Sequence, residues 1–210
     1  QDGIGKDVRL KPHVLAYPVL GSTRDGKVNR QEAKVVVSLI AAALEQAEYQ
    51  TNEFGWPSSI GVVSLVGEEQ ALEIDRLLRT HLAPDAYERH RLLCGTSAQF
   101  QGDERDVVFL SVVDAPASGA LHLRDQQMFK QRYNVAASRA RDQMWVVHSL
   151  DPQTDLQPGD LRRRLIEHAQ APELLTRTFD NQETNIQSAL ERDVMKRLVQ
   201  AGYRVIPRWK

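Results

Sequence analysis

The strongest constraint on this chain is a pair of apolar, β-branched runs, Val107–Val113 and Met144–Val147, with a helix-forming stretch, Met128–Ala140, between them. Continuous runs of this kind are strands covered on both faces, and a strand–helix–strand order joins parallel neighbours. A turn loaded with polar groups, Gln99-Phe100-Gln101-Gly102-Asp103-Glu104, stands just before the first run. The arrangement is the plan of one half of an α/β nucleotide site.

The rest of the chain fits the same plan. Val14–Leu20 reads as a strand, with Pro18 favouring a sheet edge. Asn29 caps a helix over Gln31–Glu48, with Glu32 at capping-box spacing. Ile60–Val66 is a buried strand and Gly67–Leu82 an amphipathic helix. Pro84–His90 reads as a polar connection, and Ser111–Asp125 as an exposed loop. Leu161 opens a basic helix in which Arg162, Arg163 and Arg164 read as solvated charges; Pro172 ends it. A polar linker precedes a last helix over Ile186–Ala201, stopped by Gly202, and a strand over Tyr203–Ile206. The expected boundaries are residues 1–150 for the main α/β domain, 151–184 for the linker with its basic helix, and 185–210 for the start of an appended module.

Composition narrows the function. A net charge of −1 excludes nucleic-acid binding by bulk charge, so any such binding needs a local basic face. The one cysteine, Cys94, excludes an internal disulfide, fits a reducing cytosol and reads as a small buried hydrophobe. No run approaches the ~18 apolar residues of a membrane helix, so a cytoplasmic chain with no membrane partner is expected. The six histidines show no metal spacing. No Gly-x-x-x-x-Gly-Lys-Ser/Thr occurs: Gly5-Lys6 is followed by Asp7, and Gly26-Lys27 by Val28.

The phrases FQGDERDVVFLS and YNVAASRARDQMWVV resemble motifs V and VI of superfamily 1 helicases of the Upf-like group, in the expected order. KVNRQEA resembles the segment before motif IV, and IGVVSLV with the helix after it resembles motif IV. The resemblance covers roughly Val14–Leu150 and implies the second RecA-like domain of such a motor: a parallel sheet flanked by helices, followed by a short α+β appendage. SALERDVMKRLVQAGYRVIP resembles the opening of very-short-patch-repair-like nuclease domains of the PD-(D/E)XK type, with Glu191 at the first-helix glutamate. Gln1 at the start, and Trp209-Lys210 just past a strand-like run, read as the ends of a piece of a longer protein.

The resemblance implies roles residue by residue. Arg139 matches the arginine finger that reaches the γ-phosphate of ATP, a task suited to a group that is always charged and donates in a planar fork. Arg141 braces it or pairs with an acid. Gln101, Gly102 and Glu104 match the motif V nucleotide contacts. Gln70 is the nearest match to the motif IV nucleotide contact, where many relatives carry an arginine. Ser64, Thr96 and Ser97 match hydroxyls facing single-stranded nucleic acid, with DNA preferred over RNA. The phosphate cradle and the Mg2+ ligands belong, by resemblance, to a first RecA-like domain upstream, so the chain alone is expected to be inactive. Two other readings compete: a catalytically inert nucleic-acid-binding or docking module, and a helicase-like scaffold of a nuclease.

Overall fold

The computed structural model describes residues 10, 12–116 and 121–172. The helix and strand expected within 186–206, and Glu191, lie outside the described residues. The chain divides into two compact units, residues 1–170 and 171–210.

In the first unit the elements run β1 (Val14–Pro18), α1 (Arg30–Leu44), α2 (Ala47–Gln50), β2 (Ile60–Ser64), α3 (Glu68–His81), α4 (Pro84–Arg89), β3 (Leu93–Thr96), β4 (Arg105–Ser111), α5 (Gln127–Ala137), β5 (Ala140–His148) and α6 (Leu161–Gln170). The strands form one sheet in the order β1-β5-β4-β2-β3, every pair parallel. This is the parallel α/β architecture that the two apolar runs imply and the RecA-like sheet that the helicase resemblance implies.

Both faces of the sheet are covered, which is why β2 and β4 are buried at every position. Ile60, Val62, Val107 and Phe109 pack with Val36, Ile40, Ile74 and Leu78 of α1 and α3. The alternate residues Val63, Val108, Leu110 and Val146 pack with Tyr133, Ala136 and Ile166 of α5 and α6. The period of two along each strand thus feeds two separate cores.

Several elements depart from expectation. The first helix breaks at Glu45 and Gln46, and the connection over residues 84–90 is helical, entered by Pro84 in its first turn. The helix before β5 ends at Ala137, and the strand starts at Ala140. The segment after β4 begins buried: Val112, Val113, Asp114 and Ala115 are all inside. Cys94 is half-buried beside the α1/α3 core, and burial pushes its thiol well above the usual range.

The capping box is only half made. Asn29 Oδ1 accepts from the Glu32 backbone N–H at 3.0 Å, as expected. Glu32 does not reach back. Gln70 Oε1 takes the Asn29 N–H instead, at 2.8 Å. Glu32 is turned inward, where its carboxyl accepts from Ser111 Oγ at 2.6 Å, Val113 N at 2.8 Å and Ser149 Oγ at 3.0 Å. Val113 has φ +70, a strained value for a β-branched residue. Asp114 N donates to Val112 O at 2.8 Å across it, closing a γ-turn. Glu32 and Asn29 hold both backbone groups of Val113 and so hold the turn.

Burial outweighs these donors and pushes the Glu32 carboxyl from its ordinary 4.5 up to about 7. The folded chain therefore keeps a proton that the unfolded chain has released. Stability from Glu32 is full below about pH 4.5 and is lost as pH rises through about 7. Glu32→Gln keeps the shape and is expected to remove this loss, on the order of 3 kcal/mol. Urea midpoints of both proteins at pH 4.5 and 7.5 check it; equal pH dependence in the two would refute it.

Candidate functional site

The turn between β3 and β4 is built by packing. Backbone bonds from Gln99, Phe100 and Gln101 back to Thr96 and Ala98 tighten it. Phe100 then lays its buried ring on Gly61 of β2, where an added Cβ would stand 2.8 Å from a ring carbon. Gly102 reverses the chain at φ +81, a conformation that suits glycine. Arg105 locks the result. Its Nε donates to Arg91 O at 3.0 Å and its Nη1 to Asp103 Oδ1 at 2.5 Å and Glu104 O at 2.9 Å. Arg105 also holds the Asp103 carboxyl below the usual carboxylate range.

The junction of α5 and β5 lies against this turn, because Arg105 N donates to Arg139 O at 3.0 Å. Arg139 is half-buried. Its Nε donates to Val135 O at 3.0 Å and its Nη2 to Ser138 Oγ at 2.7 Å. A longer bond, 3.5 Å, runs from Nη1 to Phe100 O. Arg141 pairs with Glu104 at 3.1 Å, both about half exposed. Such a surface pair is worth ~0–1 kcal/mol and opens easily. Gln101 and Gly102 are exposed on the same turn. Five residues expected at a nucleotide site, Gln101, Gly102, Glu104, Arg139 and Arg141, are thus brought to the amino ends of β4 and β5.

The other expected residues lie elsewhere. Ser64 and Thr96 are register partners at the carboxyl ends of β2 and β3. Ser64 is buried and its Oγ accepts from Gly67 N at 3.3 Å. The Thr96 hydroxyl donates to Gln99 Oε1 at 3.2 Å, and Ser97 is buried. Gln70 is a correction. It is fully buried, and its amide accepts from Asn29 N and donates to Asn29 O and Ser111 Oγ. A nucleotide contact would first have to break these bonds, so in this fold Gln70 is the clasp of α1 on β4.

Arg162 is a second correction: it is buried, and Arg163 is mostly so. Arg162 pairs with Asp160 at 2.6 Å and Asp114 at 2.7 Å. Arg24 and Arg124 pair with the same Asp114. On α5, Lys130 is exposed, whereas Arg132 is half-buried over the Phe129 ring.

Arg105 and Ser138 were not marked by the sequence. Arg105 stands directly after Glu104, and a charged residue opening a buried strand was the available signal. Among the described residues no three His, Cys, Asp or Glu side chains gather to hold a metal, and no helix is long and apolar enough to cross a membrane.

A family model described as an AAA domain matches residues 19–151, well over half of the chain. No curated protein matches it. The match spans strands β2 to β5, the β3–β4 turn and the α5–β5 junction, and the chain therefore belongs to the AAA domain family as a helicase-like, nucleotide-binding domain.

Proposed function

We propose that this chain is the second RecA-like domain of an ATP-driven superfamily 1 helicase of the Upf-like group, and that it supplies the arginine finger to ATP held by a P-loop domain of the same protein. One juxtaposition supports the reading: Arg139 and Arg141 stand beside the Gly102–Glu104 turn at one end of the sheet. Such a cationic cluster is what phosphoryl transfer needs from the partner of a phosphate cradle. The donor set fits a terminal phosphate, because one N–H on each of Nη1 and Nη2 of Arg139 makes none of its internal bonds.

ATP supplies the transferable phosphoryl group, and the residues here act on charge. Arg139 offsets negative charge developing on the γ-phosphate oxygens. Glu104 keeps Arg141 near the same edge, and the weak pair lets Arg141 turn toward phosphate. Among the described residues no cluster of carboxylates gathers to hold a metal, and by the same resemblance the Mg2+ ligands are assigned to the P-loop domain. Single-stranded DNA is assigned to the carboxyl ends of β2 and β3, near Ser64, Thr96 and Ser97, and a nuclease-like module to residues from 185 onward.

The test is a comparison of two proteins. The 210-residue chain is expected to show no ATP turnover above background, since a finger without a cradle has nothing to stabilise. The full-length protein, in which a P-loop domain is joined to it, is expected to hydrolyse ATP and to be stimulated by single strands. Turnover in the chain alone that Arg139→Ala abolishes would sink the assignment.

A further inference from the structure

We infer that Ser138 is a positioning residue for Arg139, an inference that rests on the assignment of Arg139 to the nucleotide. Arg139 follows the last turn of α5, whose final carbonyls carry the negative end of the helix dipole. A free guanidinium there could rotate onto any of them. Ser138 removes that freedom. Its Oγ donates to Val135 O at 3.0 Å, so the hydroxyl is itself fixed to the helix. The same oxygen accepts from Arg139 Nη2 at 2.7 Å and from Nε at 3.3 Å. It therefore grips the Nε/Nη2 edge of the guanidinium, while Val135 O takes the Nε–H as well.

A guanidinium can bind an oxyanion through either of two edges. With the Nε/Nη2 edge held by Ser138, the Nη1/Nη2 edge is left for a ligand. Phe100 O touches only Nη1, at 3.5 Å, and so limits the swing of that edge without occupying it. The hydroxyl thus selects which edge of Arg139 is presented and freezes its plane before a phosphate arrives. Preorganisation of this kind acts on the transition state more than on ground-state affinity. Ser138 is itself exposed, so its hydroxyl contributes little to folding.

The test uses the full-length protein with steady-state ATP hydrolysis. Ser138→Ala is expected to lower kcat by about tenfold, the weight of one hydrogen bond to a charged group, with KM and Tm unchanged. Ser138→Thr, which restores the hydroxyl, is expected to recover most of the rate. In an Arg139→Ala background, Ser138→Ala should have no further effect. If Arg139→Ala removes turnover but Ser138→Ala does not, the inference is overturned and the assignment of Arg139 stands. If Ser138→Ala lowers Tm and raises KM together, its role is structural and the inference is again overturned. If Arg139→Ala turns over normally, the assignment itself is wrong.

Discussion

Arg139→Ala in the full-length protein is expected to lower ATP turnover by roughly 10³-fold or more, the range in which arginine fingers act. Nucleotide binding should change little, because the cradle that holds the β- and γ-phosphates is assigned to another domain. The split follows from the charge being needed only as phosphate oxygens gain negative charge. Arg139→Lys should recover little. An ammonium cannot hold the Nε-edge contacts to Val135 O and Ser138 Oγ while presenting a second edge outward. Single-turnover hydrolysis, alongside binding of a labelled non-hydrolysable analogue, separates the two effects. A variant that binds poorly and hydrolyses at the normal rate when saturated would refute the role.

Asp114→Ala is expected to destabilise the first unit by about 3–5 kcal/mol. Asp114 is almost fully buried and receives Arg24, Arg124 and Arg162 at once. Without it, three guanidiniums converge with only Asp160 to offset them, and Arg162 cannot reach water without unpacking. Leaving buried charge unpaired is costly even where the intact pair is worth little. Urea unfolding of the chain measures the effect. A loss below about 1 kcal/mol would show that the arginines relocate and that Asp114 is not the centre of the cluster. The double variant Asp114→Ala/Arg162→Met should recover part of the loss by removing one orphaned charge.

The residues legible in the sequence were those carried by short local stretches of chain. Gly102, Glu104 and Arg139 stand in short ordered phrases, and the turn and helix end that carry them form from neighbouring residues. The two apolar runs gave the parallel sheet for the same reason: coverage on both faces leaves a continuous apolar trace. What escaped reading was set by distant partners. Glu32 looked like half of a capping box, a rule about residues three apart, yet its carboxyl partners are Ser111, Val113 and Ser149. Its place in the cap is taken by Gln70, from another helix. Arg162, Arg163 and Arg164 are alike in composition, and only the position of Asp114 and Asp160 decides that Arg162 goes inside. Ser138 was one polar residue among several near a helix end, and only its distance to the guanidinium marks it.

The placement of β1 has a consequence for how the chain comes together. Among the described residues β1 lies at the sheet edge and pairs only with β5, with Val14 opposite Met144. Of the described strands of this sheet β1 is made first and β5 last, so β1 waits for β5 before the two can hydrogen-bond. At ~5–20 residues per second the delay during translation is on the order of 10 s. The core strands β2, β3 and β4 can pair in that time, since their partners lie close in sequence. Closure of the long loop between β1 and β5 then becomes the late, slow step expected of non-local pairing. Until then Val14–Pro18 is an unsatisfied strand, five residues long and ended by a proline that offers no N–H. Shortness and that proline are the features that keep such a strand from adding to a neighbouring ribosome's product.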